Sequence, residues 1–399
     1  MNVIQERLAA LRSKMQEHGI NYYVVPTADF HQSEYVGEHF KARKFITGFS
    51  GSAGVAVVGL DGAWLWVDGR YFLQAGEQLQ GTTVELMKMG EPGVPTLDAF
   101  INSNLKKGEK IGFDGRVVSM DEGQLYDEIA NKHEGCIEYS VDLIDEIWTD
   151  RPPLSEKPAF ELEVKYTGKT VAEKLADIRE KMVEAEADMH VVTTLDDICW
   201  TLNIRGDDIN FFPLVLSYAL MDANEYHLYI DERKLSDEIK AHFEKDGVVL
   251  HPYNDIYEDI KYIPEDTKLM LDASKVNYAL FCNIPESVKK IDVMNPEMIF
   301  KNVKNHVELE NIRKAQIKDS IAHLRLMKWL KENVGKIEMT ELSVANKLDE
   351  FRAELGNFIR PSFEPISSYG AHAAIVHYAP SPETDIPVLP KGLHLTDTG

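Results

Sequence analysis

Two stretches of the chain carry the same order of apolar and polar positions. Leu8, Leu11 and Met15 recur at helical spacing, and the β-branched pair Val24-Val25 follows them, which predicts a helix feeding a buried strand. Residues 8–17 align without gaps on 175–184, and at the same offset 24–29 fall on 191–196. The shared series Leu-Ala…Arg…Lys-Met…Glu…Val-Val…Thr…Asp predicts that each stretch opens one copy of a duplicated α/β unit. The first unit continues through strand-like runs at 55–58 and 63–67, separated by Gly-containing turns. It ends near Trp148-Thr149-Asp150-Arg151-Pro152-Pro153, where the prolines break regular structure and predict a linker. The second unit runs to about Lys304, with His227-Leu228-Tyr229-Ile230 a further strand candidate.

The third segment opens on a long amphipathic pattern from His306 to about Glu332. Leu309, Ile312, Ile317, Ile321, Leu324 and Met327 form one apolar stripe. A second helix is expected to start near Thr340, an N-cap residue followed by Glu341. Beyond it, the run Ala373-Ala374-Ile375-Val376-His377-Tyr378-Ala379-Pro380 reads as strand-like, and Leu393-His394-Leu395-Thr396-Asp397-Thr398-Gly399 alternates like a strand. A helix pair with two lone strands can hardly cover both of its faces, so the segment reads as a domain cut part-way through.

Composition narrows the class without naming a substrate. With 399 residues, two or three domains are expected, and 44% hydrophobic and 27% charged residues are ordinary for a globular protein. No apolar run reaches the ~18 residues of a membrane span, and the N-terminus lacks the charged-then-apolar pattern of a signal peptide. Three scattered cysteines (Cys136, Cys199, Cys282) without CxxC spacing argue against a disulfide framework or zinc-thiolate site and suit a reduced cytoplasm. A net charge of −23 opposes nucleic acid as a partner.

P-loop, GxGxxG, HExxH and GxSxG signatures are absent. Gly48-Phe49-Ser50-Gly51-Ser52-Ala53-Gly54 matches no phosphate loop and reads as a tight turn between strands. His377 is open to a structural or a catalytic reading. Asp397, between an apolar run and Thr398-Gly399, fits a turn, an aspartic-protease loop or a metal-binding carboxylate. The protease reading needs a second Asp-Thr/Ser-Gly, which the chain lacks, or a dimer that brings two copies together. One carboxylate alone does not make a metal site.

Taken together, these signals resemble a known family. The order His306-Val307-Glu308-Leu309-Glu310-Asn311-Ile312-Arg313-Lys314-Ala315, Ile366-Ser367-Ser368, Ala374-Ile375-Val376-His377-Tyr378-Ala379-Pro380 and Leu395-Thr396-Asp397-Thr398-Gly399 resembles the first half of a "pita-bread" peptidase domain. Upstream, Asp29-Phe30-His31-Gln32-Ser33-Glu34-Tyr35, the Gly48–54 run, Trp66-Val67-Asp68-Gly69-Arg70-Tyr71-Phe72, Ile147-Trp148-Thr149-Asp150-Arg151-Pro152 and Leu202-Asn203-Ile204-Arg205-Gly206-Asp207-Asp208 are similar to the cytosolic-type, three-domain Xaa-Pro aminopeptidases of the creatinase family.

The resemblance implies an α/β chain: two related creatinase-N-type domains (mixed sheet with flanking helices) at 1–156 and 157–304, then an incomplete pita-bread α+β domain at 305–399. It implies a metalloaminopeptidase that releases the residue before a second-position proline, in the cytoplasm and as a homodimer associated partly through the first domain. An exposed aromatic surface around Tyr22, Tyr23 and Tyr35 would suit that dimer, and core packing accounts for those rings equally well. It further implies two divalent ions, Mn2+ being the expected metal, held by two Asp, one His and two Glu. Asp397 takes the place of the first ligand, and the others are expected beyond Gly399, so this chain alone is expected to be inactive and to hold no tight metal pair. By the same resemblance His377 is the substrate-side catalytic histidine, and Glu34 and Arg70 fall in motifs of the substrate-confining domain, with a surface or interdomain ion pair as their alternative. Arg205 is expected to be structural. Two rivals remain: a non-catalytic peptide-binding module, and a same-fold prolidase or creatine-type hydrolase.

Overall fold

The structure is a computed structural model and describes residues 2–399; Met1 lies outside them. The helix Val3–Glu17 begins where Asn2 and Gln5 cap each other reciprocally, and it buries Ile4, Leu8, Leu11 and Met15. The helix feeds β1 (Tyr22–Pro26), which is followed by β2 (Val55–Gly59), β3 (Ala63–Val67), β4 (Glu85–Lys88), β5 (Lys110–Phe113) and β6 (Cys136–Glu138). These strands form one sheet in the order β4-β3-β2-β1-β5-β6. The two-residue alternation sorts its side chains. Tyr23, Val25, Ala56, Val58, Leu65 and Val67 pack with the first helix, whereas Val24, Val57 and Trp66 pack on the other face with Ile101, Phe113 and Tyr126.

The chain then runs through β7 (Phe160–Glu161), β8 (Met189–Val192), β9 (Ile204–Arg205), β10 (Ser217–Met221), β11 (Tyr226–Ile230), β12 (Val248–His251), β13 (Lys268–Leu271) and β14 (Lys289–Asp292). Strands β7 and β9 pair only with each other, and the rest form a second sheet in the order β12-β11-β10-β8-β13-β14. Each pairing repeats the sense of its counterpart. The first three strands are antiparallel neighbours, and the outer strands add in parallel. The helix Val171–Glu184 feeds β8 and buries Leu175, Ile178 and Met182, the positions that align on Leu8, Leu11 and Met15. The expected duplication is therefore present as one topology built twice.

Both sheets lie in one compact unit, made of residues up to Val164, Lys169–Ile209 and Pro213–Val303. Within it the two repeats meet through their own backbones. The segment after β5 lies against the segment after β13, with a bridge between Ser119 and Asn277. The Met120 amide donates to the Val276 carbonyl and the Tyr278 amide to the Val118 carbonyl, both at 2.8 Å. Asp121 donates to Ala273 and Ala279 to Gly115 in the same reciprocal manner.

The structure bears on three expectations here. The Gly48–54 run does not turn between strands: Gly48 ends the short helix Ala42–Thr47 with φ 80°, and the remainder leads into β2. A Cβ at Gly51 would meet the Phe49 ring at 2.3 Å, and the buried Arg43 guanidinium donates to the Phe49 carbonyl at 2.7 Å, so close packing and a buried cation shape this loop. The rings of Tyr22, Tyr23 and Tyr35 follow packing and form no exposed aromatic surface. Tyr23 is 1% exposed, its hydroxyl tied between the Val141 carbonyl and the Leu143 amide, and Tyr22 and Tyr35 are half-buried.

The second unit comprises Lys165–Gly168, Asn210–Phe212 and Lys304–Gly399. Its helices His306–Asn333 and Glu341–Glu354 pack around Ala322, Leu326, Val344 and Leu348. The stripe is the third: Leu309, Ile312, Ile317, Ile321, Leu324 and Met327 are exposed in this structure, and Ala322, Leu326, Trp329 and Leu330 on another side of the helix face its neighbour. Strands β15 (Ile366–Tyr369) and β16 (His394–Asp397) pair antiparallel.

The contact between repeats gives a direct test. A Cβ at Gly123 would lie 2.1 Å from Cδ2 of Tyr278. Gly123→Leu should therefore destabilise the first unit by about 1–3 kcal/mol, lowering its urea midpoint, whereas Gly76→Leu, in open space, should change it much less. Equal effects would mean that the ring does not close this contact.

Candidate active site

Asp397 ends β16, opposite Ile366, and its side chain is exposed. Its neighbour Thr398 is held from behind. Arg352, almost wholly buried, donates from Nε to Asp319 Oδ1 at 2.7 Å and from Nη2 to Thr398 Oγ1 at 3.3 Å, and His323 Nε2 lies 3.2 Å from the same hydroxyl. His377 is exposed and does not lie on a strand. The residues Gly370–Ala374 form a 3-10 turn, and His377 follows in a further turn with φ 61°. The small and β-branched residues around it suggested an extended run; a polar anchor overrides that preference. Glu341, 0% exposed, accepts from the Tyr378 hydroxyl at 2.9 Å and faces His372 Nδ1 at 2.9 Å, and it also accepts from the Tyr369 amide. Burial and this carboxylate push the Tyr378 hydroxyl up to about 12. The sequence marked Glu341 only as a helix start. Its role as the anchor of the His377 turn had no signal, because the partners lie about thirty residues downstream.

Glu34 and Arg70 belong to the first unit, and both are exposed. Arg70 is engaged locally: Nε and Nη2 donate to the two carboxylate oxygens of Asp68 at 2.9 and 2.8 Å. That bidentate pairing, with a smaller contribution from Glu34, raises its already high pKa. The same clasp joins Arg233 to Asp231 after β11, at the corresponding point of the second repeat, so it is a device of the fold. Glu34 stands beyond a turn in which Asp29 Oδ1 accepts from the amides of His31 and Ser33 and Gln32 takes φ 56°. The turn is pinned to the other repeat. His31 Nδ1 donates to the Thr193 carbonyl at 2.8 Å, the Tyr253 hydroxyl donates to Nε2 at 2.6 Å, and Asn277 Nδ2 donates to the Phe30 carbonyl at 2.9 Å. Both ring nitrogens of a neutral His31 are thus satisfied, and burial lowers its pKa to about 4. Arg205 donates to the carbonyls of Cys199 and Ile204, as a structural residue does.

A metal pair needs several converging ligands. Among the described residues no group of three or more His, Cys, Asp or Glu is gathered to hold a metal ion, so the residues of this chain do not by themselves fit a di-nuclear centre around Asp397.

Comparison with known proteins places this architecture. The chain matches the creatinase/prolidase N-terminal domain over residues 7–145 and again over 150–308, and metallopeptidase family M24 over 310–399. It therefore has the build of a metallopeptidase whose M24 domain follows two creatinase-type domains. A probable Xaa-Pro aminopeptidase P of Neurospora crassa is 36% identical over 99% of this chain and 60% of its own length. Aminopeptidase P1 of Lotus japonicus is 33% identical over 99% of this chain and 70% of its own. The crystal structure of an X-prolyl aminopeptidase from Caenorhabditis elegans, described as a cytosolic enzyme with a di-nuclear active site, superposes with a TM-score of 0.95 at 33% identity, covering 100% of this chain and 68% of that one. The chain belongs to the Xaa-Pro aminopeptidase, or aminopeptidase P, family. It spans 60% of the Neurospora relative's length and about two thirds of the others.

The buried His31 makes the Glu34 turn sensitive to acid. The unfolded ring titrates near about 6.5 and the folded one at about 4, so between those values the unfolded state binds more protons. Stability should fall as pH drops through that window, by about 3 kcal/mol in all. His31→Gln removes the titration, and urea unfolding at pH 7, 5.5 and 4 should show a shallower loss for the variant. Parallel losses in both proteins would show that His31 is not the group responsible.

Proposed function

We propose that these residues form part of a metal-dependent aminopeptidase that releases the N-terminal residue from peptides with proline in second position. The observation that carries this reading is the agreement of the whole chain, at a TM-score of 0.95 and 33% identity, with a solved X-prolyl aminopeptidase. In the proposed arrangement residues 1–156 and 157–304 are the two creatinase-like domains, and 305–399 is the N-terminal part of the catalytic domain.

His377, exposed on a turn anchored by Glu341, is the group offered to the substrate backbone and to proton transfer at the scissile amide. Asp397 is the carboxylate offered to one of two divalent ions, with Mn2+ as the proposed metal. Glu34, exposed beyond a doubly pinned turn, is proposed to receive the substrate ammonium; Arg70, clasped by Asp68, contributes chiefly by shaping its own loop. The active protein is proposed to be a cytoplasmic homodimer.

The 399 residues place one proposed ligand at the site, so no metal-assisted step is assigned to them alone. Incubated with Mn2+ and Arg-Pro-Pro, this chain should release no arginine, whereas a longer form carrying the remaining M24 segment should release it in proportion to bound metal. Equal metal-dependent turnover by both would defeat this assignment. In the longer form Glu34→Gln should raise KM by about 10-fold or more, the cost of a lost charge-assisted hydrogen bond, with little change in kcat. An unchanged KM would remove Glu34 from the binding site.

A further inference from the structure

The two repeats close the same joint with different chemistry. Tyr23 of β1 and His190 of β8 fall at the same offset as the aligned repeats, and each reaches the segment that follows the last strand of its own sheet. The Tyr23 hydroxyl donates to the Val141 carbonyl and accepts from the Leu143 amide, both at 3.1 Å. His190 instead reaches a carboxylate. Its Nε2 lies 3.3 Å from Glu297 Oε2 on the helix Pro296–Asn302, while Nδ1 lies 3.1 Å from the Met270 carbonyl of β13. Both His190 and Glu297 are 0% exposed.

These two acceptors fix the proton count. A carbonyl only accepts, so Nδ1 carries a proton, and the bond between Nε2 and Glu297 needs a second one, which imidazole and carboxyl share. Glu297 Oε1 has no hydrogen-bond partner among the described residues, so His190 makes the one hydrogen bond described for that carboxyl group. The other groups that act on the pair are Asp197 of the helix Leu195–Thr201 and the buried Tyr226 hydroxyl of β11. Lys301, one turn beyond Glu297, pairs with Asp197 at 2.6 Å. Burial opposes a charge on His190, but Glu297, the Met270 carbonyl and Asp197 outweigh it and raise its pKa. Loss of the shared proton leaves a lone pair against a buried carboxylate, which nothing then compensates. Tyr23 carries no such dependence, because burial keeps its hydroxyl protonated well above the ordinary range.

We propose that His190 and Glu297 form a proton-dependent latch, which docks the helix Pro296–Asn302 on the second sheet while the shared proton is present and loosens it at alkaline pH. This helix is the last element of the first unit, which ends at Val303. Its other ties do not involve an imidazole: Asn295 donates to Asp197 at 3.0 Å, Lys301 pairs with the same carboxylate, and Phe300 stacks on Trp200. The sign follows from linkage. An undocked His190 titrates near about 6.5 and the docked one higher, so the docked state binds more protons. Docking is therefore complete below the first value and declines as pH rises through the second.

Amide hydrogen exchange of this chain between pH 6.5 and 9.5, corrected for the intrinsic rise of the chemical rate, reads the latch directly. Protection of a peptide spanning Met298–Val303 should fall, by up to about tenfold per pH unit once the proton is lost. The segment around Leu143, clasped by Tyr23, should keep its protection over the same range. In Glu297→Gln the side-chain amide can donate to an unprotonated Nε2, so the helix should stay docked and its protection should no longer follow pH. Lys301→Gln should lower protection at every pH and leave the slope in place, since it removes a tie but not the titrating pair. A flat profile in the unmodified chain, or an unchanged slope in Glu297→Gln, would overturn the latch.

Discussion

The first unit depends on the reciprocal backbone pairing of its two repeats. Buried amides and carbonyls must find partners, and the segments around Ser119 and Asn277 find them in each other. Because this pairing is made by the main chain, it fixes one repeat against the other with little latitude for sliding. The rest of the junction follows from that placement. Asn277 comes within reach of the Phe30 carbonyl, and Thr193 and Tyr253 close over His31. The turn that presents Glu34 therefore owes its position to residues of both repeats.

How much of this was legible in the sequence depended on whether a signal was local. Each helix-to-strand opening could be read because Leu8, Leu11 and Met15, and their counterparts Leu175, Ile178 and Met182, repeat a spacing that only a helix satisfies. Strands such as Ala63–Val67 were equally plain, since one face packs on the first helix and the other on Phe100 and Tyr126. The pairing of the repeats left no trace, because main-chain hydrogen bonds carry no residue signature. The stripe on His306–Asn333 showed that the helix is amphipathic but not that Ala322 and Leu326, on another side, make the contact with the next helix. His377 was misplaced for a related reason: its neighbours prefer extended backbone, and the turn is held in part by the buried Glu341, far off in sequence.

The candidate residues divide along the same line. In sequence Arg70 is open to a substrate-confining role or an ion pair; the Asp68 clasp occupies it as Asp231 occupies Arg233, and Asp114 holds Arg116 in the same geometry. An Asp-x-Arg triplet at a strand end is in this chain a way of closing a loop. Glu34 has no such clasp described for it, and its exposure contrasts with the buried Asp29 that shapes the turn beneath it.

The duplicated halves have not stayed equivalent where they touch. At the paired segments Met120 and Gly123 of one copy correspond to Tyr278 and Phe281 of the other, and the Tyr278 ring occupies the space that a side chain at Gly123 would fill. Two copies of the first half, set face to face, would leave a hollow; two copies of the second would crowd four aromatic rings into one place. The contact joins two unlike surfaces, a lock and its key, on a single polypeptide. Neither half is now shaped to be its own mate, which guards the folding chain against exchanging halves with a neighbouring molecule.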